Sequence, residues 1–390
     1  MDSLKTKDPY LQNKSLLVGL SGGMDSVVLL HYLQQHYPQR LRAVYCNHHL
    51  SKCSDDWQIF CQELCQRLGI EFTSLSLSIK DASNLEEQAR IARYQALSST
   101  LKPQEVLCTA HHKNDQAETL LLQLFRGAGV AGLASMPKDK PLGAGRHYRP
   151  LLSIEKSEIT DYAKTHKLQW IEDDSNQNTN FRRNFLRLEL FPKLEKTYKN
   201  LINSLARSAA HQASALKLTQ DLAQLDIDNY QLLSTQGRLQ VSHLLTLEDY
   251  RIKNIVRHQL SRLEFSMPSD KVMTQIIALL HAKEDANPLV SWDCFSLRRF
   301  KDELYFINTS VQTEKRFCEL HQSLKDQPGF SIAYRREGQR VKLPGKTHSQ
   351  SLKKLLQELG IPPWERDSLR MYYIDDELRA MERLGHLSED

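Results

Sequence analysis

The residues with the plainest chemistry lie near the start of the chain: Ser21-Gly22-Gly23-Met24-Asp25-Ser26. Two glycines allow left-handed backbone and close approach of a ligand. Two hydroxyls and successive backbone N–H groups offer donors to an anion, most often phosphate. Asp25 is unsuited to bare phosphate, and points to a Mg2+ ion bridging the two. Three other clusters carry chemistry. His111-His112-Lys113-Asn114-Asp115-Gln116-Ala117-Glu118-Thr119 gathers a base and two carboxylates, with Asp115 and Glu118 on one helical face. Arg90 and Arg93 share a face suited to phosphates or the AMP part of a nucleotide; pairing with Glu86 and Glu87 is the plainer alternative. Arg183 and Arg187, one helical turn apart, suit an RNA phosphate or a developing anion.

These residues need elements to hold them. The run Leu16–Leu20 reads as a strand, and Val27-Val28-Leu29-Leu30 with Leu33 as a helix ending near Tyr37-Pro38. A strand feeding a helix N-terminus through glycines is an anion site. The GxxxxGK[ST] phosphate loop is absent. Gly19-Leu20-Ser21-Gly22-Gly23 matches the GxSxG nucleophile elbow, but an elbow follows several strands, and only twenty residues precede Ser21.

Onward, Leu41–Cys46, Ile70–Leu77 and Val106–Ala110 read as strands; Trp57–Leu68, Asn84–Leu97 and Asp115–Phe125 read as helices. The alternation predicts an α/β fold with a doubly wound, mostly parallel sheet. Ligands of such sheets sit at the carboxyl ends of strands. The Ser21 turn, Asn47-His48-His49 and His111–Asp115 all fall there. Pro137–Pro150 reads as a loop.

Past Lys193 the composition changes. Asn200–Leu225 is a long amphipathic helix, helical segments continue to Ala282, and Val290–Ile307 alternates like strands. From Glu314 the chain changes again. Arg335, Arg336, Arg340, Lys342, Lys346, Lys353 and Lys354 are opposed over that stretch only by Glu337, a local net charge of +6. Interleaved Gly338, Pro344, Gly345 and His348 favour contact with a phosphate backbone over a merely solvated face. The expected domains are residues 1–195 around the phosphate loop, a mainly helical 196–310, and a small basic α+β domain at 311–390.

The chain has 390 residues, 40% hydrophobic and 25% charged, with a net charge of +5. This is ordinary globular composition, and too weak a charge to name a partner. The N-terminus is too polar for a signal peptide, and no run approaches bilayer length. Seven cysteines without a CxxC fit free thiols in a cytoplasmic protein. Cys53, Cys61 and Cys65 with His48 and His49 match no zinc spacing, so buried core cysteines are expected.

Ser-Gly-Gly-x-Asp-Ser resembles the PP-loop of ATP pyrophosphatases. Together with Asn84–Tyr94, His111–Thr119, Arg126-Gly127, Asp173–Arg187, Arg335–Gln339, Leu352–Leu356 and Ile361–Arg366, it resembles the tRNA(Ile)-lysidine synthetase family over nearly the whole chain. Asn47 and Ser51 depart from the family's Asp-His-Gly-Leu-Arg, and Asn114 stands where a second Asp is usual. The resemblance implies that ATP adenylates the wobble cytidine of a CAU-anticodon tRNA(Ile), and that free L-lysine then displaces AMP. It implies ATP binding by Ser21, Gly22, Gly23, Met24, Asp25, Ser26, Arg90 and Arg93, with Mg2+ on Asp25. It implies catalysis by Asp25, His111, Asp115, Arg183 and Arg187, either His111 or Asp115 taking the proton from lysine. Arg126 joins the basic C-terminal residues as a tRNA contact, and a second copy of the chain is a candidate partner. A tRNA thiolase is the alternative, weakened by the lack of a cysteine expected beside the site.

Overall fold

The computed structural model describes residues 6–49, 53–77, 85–283, 286–309, 327–335, 338–341, 348–367, 369–375, 377–381 and 385–386. Ser51, Asn84, Arg336, Glu337, Lys342, Pro344, Gly345 and Lys346 lie outside the described residues. The chain forms two compact units, Met1–Thr219 and Gln220–Asp390.

The first unit runs β1 (Leu16–Gly19), α1 (Met24–His36), β2 (Leu41–Asn47), α2 (Ser54–Leu68), β3 (Glu71–Ser76), α3 (Leu85–Thr100), β4 (Val106–Cys108), α4 (Lys113–Phe125), α5 (Val130–Leu133), β5 (Asp139–Leu142), β6 (Gly145–Tyr148) and α6 (Lys156–Thr165). The sheet order is β3-β2-β1-β4-β6-β5, parallel except for β5. This is the expected doubly wound sheet. Its central strands are apolar throughout because both faces are covered. Val28, Leu29, Leu33, Cys61 and Cys65 pack on one face. Leu17, Val44, Leu97, Leu101 and Leu107 pack on the other. Cys61 and Cys65 are thus core residues, and burial pushes the Cys61 thiol up to about 12.

β1 lies between β2 and β4, so the order reverses beside it. The turns leaving β1 and β4 therefore open at the same edge, the usual ligand crevice of such sheets.

One expectation fails. Pro137–Pro150 is not a plain loop: β5 and β6 form a hairpin, and β6 extends the main sheet parallel to β4. Gly143, at φ +52°, supplies the tight turn. Gly145 lets the strand approach closely, since a Cβ there would lie 2.1 Å from the Glu105 carbonyl oxygen. The prolines and glycines that suggested a loop are the turn and edge residues of a hairpin.

After α6 the chain continues through α7 (Arg182–Phe185), a π-helical turn at Leu186–Leu190 and α8 (Phe191–Glu195) into α9 (Leu201–Asn229). The second unit holds β7 (Leu239–Gln240), α10 (Val241–Leu244), α11 (Asp249–Arg262), α12 (Asp270–Leu280), β8 (Leu289–Trp292), β9 (Phe295–Phe300) and β10 (Glu303–Asn308). Its antiparallel sheet, ordered β7-β10-β9-β8, shares a core with α11 and α12 through Leu297, Leu304, Ile255 and Ile276. β11 (Phe330–Ala333), β12 (Arg340–Val341), β13 (Gln350–Ser351), β14 (Met371–Ile374), β15 (Glu377–Met381) and β16 (Gly385–His386) follow. Here β11, β14, β15 and β16 make one antiparallel sheet, and β12 pairs with β13. Trp364 joins the two parts of this unit: its ring meets Phe300 and Tyr305 edge-on, and Arg298 stacks 4.8 Å from its centre. Among the described residues no helix is long and apolar enough to cross a membrane.

Candidate active site

The turn after β1 is built as an anion cradle. Gly23 is the N-cap of α1, and Gly22 takes φ +83°. Ile171 N–H donates to the Gly22 carbonyl at 2.9 Å, and a Cβ on Gly22 would meet Ile171 at 2.7 Å. No side chain fits there. Ser26 Oγ donates to the Gly23 carbonyl at 2.9 Å and accepts from Ser21 N–H at 3.2 Å. The hydroxyls of Ser21 and Ser26 meet at 3.2 Å. The serines fix the turn so that its free N–H groups and the start of α1 face an open cavity of about 740 Å³. Ser21, Gly23, Met24, Asp25 and Ser26 line that cavity; Gly22, expected among them, does not.

Asp25, in the first turn of α1, points at two partners. Lys156 Nζ stands 2.5 Å from Oδ1, and His112 Nε2 stands 3.7 Å from Oδ2. Burial alone would raise this carboxyl, but the neighbouring His112 and the Lys156 charge outweigh it and hold it down to about 2. Asp25 is therefore an anion at any working pH.

His112 rather than Asn114 or Asp115 caps α4, because Asp115 Oδ2 reaches back to its N–H at 2.9 Å. His112 Nε2 also lies 3.5 Å from that oxygen, so one buried imidazole stands between Asp25 and Asp115. Asn114 Oδ1 instead accepts from Lys156 N–H at 3.1 Å, tying α6 to α4. That task needs only an acceptor oxygen, so asparagine serves as well as aspartate. Asn47 is likewise structural: its Nδ2 donates to Asp55 at 2.8 Å and its Oδ1 accepts from His49 N–H at 2.9 Å.

On the far side, Arg187 grips Glu118 with two bonds, Nε to Oε1 at 2.8 Å and Nη2 to Oε2 at 2.9 Å, and its Nη2 lies 3.4 Å from Asp115 Oδ1. Arg183 Nε lies 3.3 Å from Glu118 Oε2, and its Nη2 donates to Thr119 Oγ1 at 3.1 Å. Ala117 and Leu121 of α4 pack against Leu186 and Phe191, which sets this face. The π-turn at Leu186–Leu190 shifts the helical phase beside the cavity, as such turns often do at functional sites. Burial raises the Glu118 carboxyl in spite of Arg187. Two short hydrogen bonds from Arg187 occupy both oxygens of Glu118, whereas Asp115 receives one longer contact from the same guanidinium, at 3.4 Å.

His111 lines the cavity, with Nδ1 2.8 Å from Thr109 Oγ1; the same hydroxyl is 2.8 Å from His147 Nε2. Burial, then Arg149, Arg183 and Arg93, push His111 down to about 3 despite Asp115. Taking a proton would add a cation beside three others. Arg93 and Tyr94 line the cavity. Arg90 is not among the lining residues; its guanidinium sits 5.9 Å from the Tyr94 ring.

One expectation is corrected here: a cysteine does lie beside the site. Cys46 lines the cavity, but burial pushes its thiol up to about 11, so it is no thiolate. His112 and Lys156 join the predicted residues, and Glu118, read from the sequence as a carboxylate beside Asp115, is the partner of both arginines. His112 was hidden by its neighbour His111. Lys156 had a readable signal, a cation at the first position of a helix, against the dipole.

Arg126 caps the carboxyl end of α4 and is exposed. In the second unit Arg335 pairs with Asp367 at 2.7 Å, Lys354 lies 3.8 Å from Glu358, and Arg340 Nε donates to Ser349 Oγ at 3.1 Å. Exposed pairs of this kind are weak and readily exchanged for a phosphate.

The chain matches three domain families: a PP-loop domain over residues 2–194, a TilS substrate binding domain over 239–305 and a TilS substrate C-terminal domain over 330–388. The tRNA(Ile)-lysidine synthase of Legionella pneumophila (strain Paris) is 38% identical over 396 residues, covering 95% of this chain and 91% of that protein. Its counterpart from Coxiella burnetii (strain RSA 493 / Nine Mile phase I) is 36% identical, covering 97% and 90%. That from Escherichia coli O157:H7 is 36% identical, covering 95% and 92%. With the phosphate cradle, the Asp115–Glu118–Arg187 cluster and likeness over nearly the full length all agreeing, the chain belongs to the tRNA(Ile)-lysidine synthase family.

Proposed function

We propose that this chain is a carbon–nitrogen ligase that makes lysidine at the wobble cytidine of a CAU-anticodon tRNA(Ile). The oxygen on carbon 2 attacks the α-phosphate of ATP and pyrophosphate leaves. The side-chain amine of free lysine then attacks carbon 2, loses a proton, and AMP leaves. The observation that carries this reading is one cavity lined both by the anion cradle with Asp25 and by Asp115, Arg183 and Arg187, the arginines held from behind by buried Glu118.

The residues suit these steps. The Ser21–Ser26 turn and the start of α1 hold the polyphosphate, with Arg93 near the adenylate. Among the described residues no group of three or more His, Cys, Asp and Glu side chains could hold a metal unaided. Asp25, a lone hard carboxylate already drawing a cation, fits Mg2+ shared with phosphate oxygens, the usual pattern for that ion. Such an ion would neutralise charge developing on the pyrophosphate. Asp115 takes the proton from lysine, and Arg183 and Arg187 face the AMP leaving group. The six described cysteines are free thiols, which suits a cytoplasmic enzyme. Thiolation is disfavoured by the un-ionised Cys46 thiol and by the family.

The test uses ATP, Mg2+ and the CAU-anticodon tRNA(Ile). Without lysine, pyrophosphate release should stop near one equivalent per enzyme. With lysine, turnover resumes, AMP appears and labelled lysine enters the tRNA. Turnover supported by sulfide or ammonia in place of lysine would sink the reading.

The proposed tRNA contacts of the 311–390 region have their own test. Lys353 and Lys354 open a helix that buries Leu352, Leu355 and Leu356 and turns the lysines outward. Changing both to Gln should lower the log–log salt slope of tRNA binding by about one to two units and leave ATP affinity unchanged. An unaltered slope would return them to solvated surface.

A further inference from the structure

Lys156 sits where a helix least favours it. It is the first residue of α6, and a cation there opposes the dipole. The chain nevertheless holds it in place: its N–H is bonded to Asn114, Lys113 N–H donates to the Ile154 carbonyl at 2.9 Å, and Lys113 Nζ lies 3.3 Å from Glu155. These ties join the starts of α4 and α6 and aim the ammonium across the cavity at Asp25. The pair is not locked in the core, for the two side chains are 37% and 30% exposed. An ion pair so open to water stabilises the fold little, so exchanging its partner costs little.

Lys156 and Asp25 line the same cavity as Ser21, Gly23 and Ser26. The ammonium stands on the carboxylate proposed for Mg2+. A metal arriving there must displace it, and the strong acceptors that then enter its reach are the phosphates of the nucleotide.

We propose that Lys156 is an exchangeable phosphate ligand: it neutralises Asp25 in the empty site and passes to the polyphosphate when a divalent cation takes Asp25. The exchange keeps Asp25 neutralised in both states, so no bare carboxylate faces incoming ATP. It also makes metal and nucleotide binding mutually reinforcing, because each frees the partner the other needs. This inference rests on the ATP and Mg2+ reading above.

The test compares the full-length wild type with Lys156→Met and Lys156→Arg. Mn2+ alone is titrated by electron paramagnetic resonance. A non-hydrolysable ATP analogue is titrated by calorimetry with Mn2+ saturating. In Lys156→Met, Mn2+ should bind about three- to ten-fold tighter because its competitor is gone. The analogue should bind about ten- to a hundred-fold weaker, as expected for loss of a charge-assisted bond. Lys156→Arg should return both constants toward wild type. Tighter metal binding requires a folded site, so misfolding cannot imitate this crossed pattern. Constants that move in the same direction, or either one unmoved, overturn the exchange. If the wild type binds no analogue, or Asp25→Asn leaves Mn2+ binding intact, the ATP and metal reading itself is what fails.

Discussion

Asp25→Asn is expected to slow tRNA-dependent pyrophosphate release by about 10²–10³-fold while weakening ATP binding less than about ten-fold. The asymmetry follows from what the residue does. On the proposed reading, the turn N–H groups and the start of α1 would hold the polyphosphate in ground and transition state alike. Asp25 repels bare phosphate, and becomes useful only through a cation acting on charge that grows as pyrophosphate departs. Held at about 2, its carboxyl is charged throughout the working range, so no pH adjustment rescues the asparagine variant. Asparagine keeps the shape and a neutral oxygen, which separates loss of charge from loss of packing. Single-turnover pyrophosphate release and calorimetry with the ATP analogue give the two numbers. Near wild-type release would remove Asp25 from the chemistry, and an equal loss in both would make it a binding residue only.

Much of this site is legible in the sequence because it is local. The Ser21–Ser26 turn, its strand and its helix are contiguous, and Gly22 and Gly23 leave few conformations open. The apolar runs of β1, β2 and β4 read directly as buried strands, and their shared direction alone puts His111–Asp115 at the same sheet edge as the loop. Pairing across the chain is not legible. Nothing in one sequence couples Lys156 to Asp25, more than a hundred residues apart in numbering. Nothing local says that Asn114 serves α6 rather than its own helix. His111 and His112 look equivalent in the sequence. The strand end makes one a cavity wall beside Arg149 and the other the buried cap between two acids. The β5–β6 hairpin escapes a sequence reading for a related reason: its glycines read as breakers, and only the backbone of Glu105 shows that Gly145 is needed for close pairing.

Arg187→Ala should destabilise the first unit by about 3 kcal/mol and steepen the loss of its stability as pH rises. The partner left behind is Glu118, 1% exposed and bonded to Arg187 through both oxygens. Removing one half of a buried ion pair costs about 3–5 kcal/mol, and the lower end applies because the Arg187 side is partly open to water. The sign with pH is fixed by linkage. Burial already raises the folded Glu118 carboxyl above its unfolded value, and losing Arg187 raises it further. A carboxyl raised in the fold binds its proton more tightly folded than unfolded. Its contribution is therefore full at pH values below the unfolded value, and is lost as pH rises through the folded one. The variant should be more stable near pH 5 than near pH 8, which urea denaturation at the two values reads directly. Adding Glu118→Gln removes the buried charge, so the double variant should recover most of the stability and lose the pH response. It should not recover full lysine transfer, because Arg183 alone would remain to face the AMP leaving group. Recovery of full lysine transfer along with stability would leave Arg187 a purely structural partner of Glu118.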